Sequence, residues 1–285
     1  MLRLAGMLAG SMTLLAGLAG CAPWRDSPAA PPDLPVPPAA PDSVWLEIAF
    51  VRLGVDGTRS LDELWQDLDE QHLPAHVRRT LRDNGYRCGR AGVQLPAALR
   101  PLLDQPADDA ITGLQGDLEA PVQLRRLQSR TGRRSEIVTS GQRDEMVILL
   151  QEGGRLAGRS LRDAQCLFAA KTFPLGDGRV RLVLTPEVHH GQPQQRWVGR
   201  DGAFLLEAGR AREVFEKLRI ETVVAPGQTL VLSCTSPAKG LGKHFFLDPT
   251  QGRAHEKLLL IRLAQSQRDD LFDADATVSE PLTTH

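Results

Sequence analysis

Apolar and polar residues alternate with a period of two along much of the second half of the chain. Val180, Leu182 and Leu184 fall on one side of an extended segment, and Arg181, Val183 and Thr185 on the other. That spacing predicts a strand with distinct faces. "VWLEIAFVRLG" (44–54) is a denser run, rich in β-branched and aromatic residues and closed by a glycine, and it also predicts a strand. "EIVTSG" and "EMVILLQEGG" read as short strands ending in glycine, and "EKLLLIRLAQ" (256–265) as a last one. Two hairpins are expected. "AQCLFAAKTFPLGDGRVRLVLTPEV" turns at Gly176-Asp177-Gly178. "LRIETVVAPGQTLVLSC" repeats the design, with Pro226-Gly227 suited to the central positions of a type II turn.

Elsewhere the period lengthens. Leu61, Leu64, Trp65 and Leu68 recur at helical spacing behind "SLDE", in which Ser60 and Glu63 form a capping box. A second helix is expected over Ala75–Asn84, burying Val77 and Leu81 before Gly85 closes it, and a third over Ala97–Leu103. Asp104 to Pro121 reads as a loop and a boundary. "FLLEAGRAREVFEKL" (204–218) reads as a helix or a partly helical connection. The expected fold class is therefore α+β. An N-terminal strand with two or three helices (44–120) precedes a mainly antiparallel β module (121–265).

The ends of the chain have another character. Residues 1–20 carry one early cation, Arg3, then an uncharged apolar run with the length of a signal-peptide core. It ends in "LAGC", Leu18 to Cys21. This resembles the lipobox of bacterial lipoproteins, and the resemblance implies cleavage before Cys21 and acylation of that cysteine. Several acyl chains anchor stably where one is marginal. Residues 21–43 form the expected tether. Ala22 to Asp42 holds eight prolines, so this stretch favours an extended spacer over a packed core. The polar tail, 266–285, is expected to be disordered. The lipobox implies a membrane-anchored lipoprotein of the cell envelope, at the outer membrane and facing the periplasm.

Within the β module, the order of "VWLEIAFVRLG", "LQSRTGRRSEIVTSGQ", "GRVRLVLTPEVHHG", "RIETVVAPGQTLVLS" and "KLLLIRL" resembles the C-terminal core of bacterial secretins, the ring proteins of type II and type III secretion. The resemblance covers about 140 residues. It implies self-association, or association with other envelope proteins, through a sheet edge. Secretins also need long hairpins that assemble into a barrel. The stretch from Leu124 to Val188 is too short for two of them, so a secretin-like module without a gated channel is expected.

The candidate chemistry is sparse. A net charge of −1 argues against a general nucleic-acid binder, and 5% aromatic residues leave few stacking platforms. The pairs Arg78-Arg79, Arg125-Arg126 and Arg133-Arg134 read as solvated faces. Glu187, His189 and His190 stand where a strand is expected to end at Gly191. Adjacent histidines on an extended chain point apart, so no metal site is expected there. His244 and His255 lie in a separate segment. Cys88, Cys166 and Cys234 are single and widely spaced. They read as buried free thiols, with a disulfide between two of them as the alternative in an oxidising compartment. "RDNGYRCGRAG" and "QEGGRLAG" are glycine-rich but lack the ending of a phosphate loop. No cofactor is expected. The leading reading is a non-enzymatic, lipid-anchored assembly or interaction protein, secretin-like or secretin-associated. The alternatives are a lipid-anchored periplasmic hydrolase using His189 or His190, and a periplasmic small-ligand-binding lipoprotein.

Overall fold

Two antiparallel sheets dominate the computed structural model, with 61% strand against 13% helix. It describes residues 43–53, 57–99, 103, 122–200, 203–250 and 253–266. The signal segment, Cys21, the tether up to residue 42, the loop 104–121 and the tail after Ser266 lie outside the described residues, as do residues 100–102 of the third expected helix, whose residues 97–99 form a turn.

The first sheet joins the two ends of the described chain. β1 (Ser43–Leu53) pairs with β12 (Arg253–Ser266) on one side and with β3 (Val122–Arg130) on the other. β10 (Thr229–Cys234) lies between β12 and β2 (Tyr86–Ala91), and the short β11 (Leu247–Thr250) also pairs with β12. The central strands are buried on both faces. Leu46, Ile48 and Phe50 of β1, Leu230 and Leu232 of β10, and Leu259 and Ile261 of β12 enter the core shared with the second sheet. Ala49, Val51, Leu53, Val231, Leu258 and Leu260 form the other face, beneath Leu61, Leu64 and Trp65 of α1 (Gly57–Gln66). Burial on both faces is why these strands read as nearly continuous apolar runs.

The second sheet is built on two long strands, β6 (Arg155–Pro174) and β7 (Val180–Arg200). β4 (Ser135–Val138) and then β5 (Arg143–Glu152) pair along one side of β6. β9 (Ile220–Val224) and β8 (Ala203–Val214) pair along β7. The β6–β7 hairpin turns at 175–179, where the Gly178 amide donates to the Leu175 carbonyl at 3.2 Å. Leu182 and Leu184 face the shared core, together with an aromatic cluster of Tyr86, Phe168, Phe245 and Phe246 whose nearest centroids are 5.0 Å apart. α2 (Ala75–Asp83) ends at Gly85. A Cβ there would sit 1.9 Å from the Lys239 carbonyl oxygen, so only glycine fits this approach.

Four expectations are corrected. The α+β class gives way to a β fold: the helices with described bounds are α1, α2 and the five-residue α3 (Gly242–Phe246), and among the described residues a separate helical N-terminal region is not seen. α1 begins at Gly57, so Ser60 lies inside the helix and is not its cap. Residues 203–214 are strand β8, followed by a single 3-10 turn at Glu216–Leu218. The Leu, Glu, Ala and Arg content favours helix locally, but pairing along the long β7 overrides that propensity. Finally, β9 and β10 do not form a hairpin. The Pro226-Gly227 turn is present, with the Gln228 amide bonded to the Ala225 carbonyl at 3.0 Å and Gly227 at φ +80°. It carries the chain from one sheet to the other. β9 buries Ile220, Thr222 and Val224 but exposes Glu221, whereas every residue of β10 is buried. Two strands of such different burial belong to different surroundings.

Candidate functional site

β6 and β7 pair from Pro174↔Val180 to Gln165↔His189 and then separate. Both strands depart from regular geometry at the same level. Asp163 has φ +51° and Gly191 φ +74°, and the β7–β8 register shifts between His190 and Gln194. The Gln192 amide donates to the Asp163 carboxylate at 2.8 Å, tying the two strands at the branch. Such bulges re-aim strands. Past the branch the second sheet is a fork with two arms, β5 with the distal half of β6, and the distal half of β7 with β8. The first arm closes at Gly153-Gly154, at φ +55° and +81°, the signs a tight type I′ hairpin turn requires.

Within Leu124–Val188 the hairpin β5–β6 is complete, and a second long hairpin, β7–β8, extends beyond that stretch to Val214. The second arm uses 203–214, a strand where a helix is expected, and the histidines stand within β7 and not at its end.

The two edges of the first arm differ. On the β5 side, side chains from the end of α2 and from α3 cap the backbone. Asn84 donates to the Gln151 carbonyl at 3.0 Å and accepts from the Gln151 amide at 2.7 Å, and His244 Nε2 lies 2.9 Å from the Val147 carbonyl. Arg143 donates to the Leu247 carbonyl and to His244 Nδ1. Arg143 has no acceptor nitrogen, so Nδ1 accepts and Nε2 carries the proton given to Val147. On the other side, residues 155–162 of β6 have no strand partner among the described residues, and neither does that side of β7 from 194 to 200. Because Val147 and Gln151 direct their backbone groups away from β6, their register partners Ser160 and Leu156 direct theirs away from β5, onto the open edge. The solvent face of this arm carries Val147 (52% exposed), Leu149 (38%) and Leu156 (66%).

The Glu187 cluster lies below the branch. Glu187 is 4% exposed and accepts from Arg134 at 2.6 Å, and His189 Nε2 is 3.2 Å from the same oxygen. Arg134 also bonds Glu136, so this arginine is half-buried and structural, not part of a solvated face as expected from its neighbour Arg133. Burial pushes the Glu187 carboxyl up, but the bonds from Arg134 and His189 outweigh it and hold it below the usual carboxylate range. Among the described residues no serine or cysteine hydrogen-bonds His189 or His190, and no group of three His, Cys, Asp or Glu could hold a metal. Cys88, Cys166 and Cys234 are free and buried. Burial pushes all three thiols up, Cys166 to about 12, which leaves them protonated and poorly nucleophilic. His255 stands in β12, far in sequence from the Glu187 cluster.

A cleft of about 810 Å³ lies beside the first arm, between α2, the Gly153-Gly154 turn and the segment 213–218. Two ion pairs cross it, Arg159 with Glu213 at 2.7 Å and Lys217 with Glu152 at 3.1 Å, and Asp83 and Glu216 also line it. Sequence reasoning found the histidines and cysteines and expected an associating sheet edge, but missed Asn84, Arg143 and the buried pairing of Arg134. Their partners lie 53 to 104 residues away and leave no local pattern. Among the described residues no helix is long and apolar enough to cross a membrane. No protein-family model matches the chain, and no curated protein or solved structure is similar to it.

Proposed function

We propose that this chain is a non-enzymatic lipoprotein of the cell envelope, anchored through acylated Cys21 at the outer membrane and facing the periplasm. In this reading the β module associates with copies of itself or with other envelope proteins, in the manner of a secretin or a secretin-associated subunit. The observation that carries the reading is the forked sheet, whose arms leave strand edges without partners. An open edge is a template for another strand, and native proteins usually cover such edges. The chain does cover one edge of the first arm, with Asn84 and His244, while the opposite edge stays open. Three apolar side chains on the exposed face of that arm suit a protein contact. A lipid-facing wall needs a continuous apolar band, and the exposed register partners Glu145 and Arg162 interrupt this one. The hydrolase alternative gains no support, because Arg134 holds Glu187 and all three described cysteines are buried thiols.

Metabolic acyl labelling of wild type and Cys21→Ser, with crosslinking in native membranes, tests this reading. Label lost in the variant and a ladder of oligomers in the wild type are expected. Equal labelling of the two proteins would refute the anchor, and a lone monomer band would refute the association.

A further inference from the structure

At one end of the inter-sheet core the apolar filling gives way to charge. Arg52 on β1 and Lys257 on β12 are register partners, and Arg125 on β3 lies on the same face two positions along from Gln123. β11 brings Asp248 beside them, and the segment Val138–Gly141 from the second sheet covers the group. Together they line a cleft of about 70 Å³. At roughly 10–15 Å³ per water it holds several waters, yet it falls well short of the roughly 300 Å³ at which pockets for larger organic ligands begin.

The charges in this cleft do not balance. Lys257 is 7% exposed, and its ammonium donates to the Thr139 carbonyl at 2.7 Å and to Asp248 at 3.3 Å. Arg52 donates to the same Asp248 oxygen at 3.3 Å. Asp248 therefore answers two cations, and Arg125 has neither an ion pair nor a hydrogen bond among the described residues. Three cations against one carboxylate leave a formal excess of two positive charges. Burial pulls the Lys257 ammonium below its ordinary value. Asp248 opposes that shift, while Arg52 and Arg143 add to it by repulsion. Arg52 and Lys257 are shielded from water and share one carboxylate, with Arg125 at the exposed mouth; buried charge short of counter-charge is costly, and an anion entering from solvent would relieve it.

We propose that this cleft binds one small oxyanion of the phosphate class, held by Arg52, Arg125 and Lys257. The donors left over have the right chemistry. The ammonium has a third N–H, Arg52 keeps guanidinium N–H groups beyond the one used on Asp248, and the whole Arg125 fork is available. Guanidinium forks match phosphate oxygens in bidentate geometry. Two sources share this chemistry, free inorganic phosphate and the phosphate of a phospholipid headgroup.

Titration of inorganic phosphate into the full chain in neutral detergent, followed by calorimetry and by melting temperature, tests the proposal. Saturable binding of one phosphate per chain and a raised melting temperature are expected. Affinity should fall tenfold or more in Arg125→Ala, whose exposed side chain carries no ion pair of the fold, and also in Arg52→Gln. Phosphatidylglycerol added to the micelles, with diacylglycerol as control, separates the sources. Displacement of phosphate by the phospholipid alone assigns the headgroup, and no displacement assigns the free ion. Absence of saturable phosphate binding to the wild type, or affinity unchanged in both variants, would overturn the proposal.

Discussion

In the first sheet β12 lies between β1 and β10, every central strand has a neighbour on each side, and both faces are covered by apolar side chains. In the second sheet β6 and β7 share this closed arrangement only as far as Gln165 and His189, and beyond the branch each keeps a single neighbour. The same strand material thus meets two fates. Where side chains are apolar on both faces, the backbone is satisfied within the chain. Where the pattern thins to one apolar face, as in Met146, Ile148 and Leu150 of β5, the backbone ladder is left half used. Stability belongs to the first region, and the capacity to join another chain belongs to the second.

The largest effect expected from this contrast comes from placing the same charge in each region. Leu182→Asp buries an unpaired carboxylate in the shared core and should cost about 4 kcal/mol or more, read from urea unfolding. Leu149→Asp, on the exposed face of the first arm, should change monomer stability by less than about 0.5 kcal/mol while weakening association. Equal destabilisation by both would erase the distinction between the two regions.

A smaller effect is expected at the root of the fork. Glu187→Gln leaves Arg134 without its buried counter-charge, with only the more exposed Glu136 remaining, and should cost about 1–3 kcal/mol. Because the folded state holds this carboxyl below its ordinary 4.5, its contribution is present above that pH and is lost as pH falls further. In unfolding experiments below pH 4.5 the difference between wild type and variant should therefore shrink.

The smallest effect concerns the capped edge of the first arm. His244 is neutral in the fold, its pKa brought from 6.5 to about 4 by burial and by Lys243 and Arg143. The unfolded chain binds the proton more readily, so stability contributed by neutral His244 is lost as pH falls from 6.5 toward 4. The melting temperature of the wild type should drop between pH 6.5 and 4.5, above the range in which Glu187 acts. His244→Gln keeps a donor for the Val147 carbonyl but does not titrate, and it should flatten that drop. An unchanged slope in the variant would show that His244 does not govern it.

The sequence made the closed region legible and hid the open one, for physical reasons. "VWLEIAFVRLG" and "KLLLIRL" are strands buried on both faces, and their continuous apolar runs say so. The β6–β7 turn was readable because Gly176-Asp177-Gly178 interrupts two such runs. β8 was not readable, since its helix-forming residues are held extended only by β7. The transfer of the chain between sheets at Pro226-Gly227 leaves the same local signature as a hairpin turn, and only the neighbours of β9 and β10 distinguish the two. For the candidate site, His189 and Glu187 were visible as residues. Arg134, which defines what Glu187 does, stands 53 positions earlier.

The measurement that bears most directly on the central claim is the mass of the detergent-extracted full-length protein, compared with Ser160→Pro. Ser160 presents its backbone N–H to the open edge and not to β5, so proline removes an edge donor while leaving the β5–β6 ladder in place. The account predicts a multi-chain assembly for the wild type and a folded monomer for the variant. A monomeric wild type, or an assembly of undiminished size in Ser160→Pro, would contradict it.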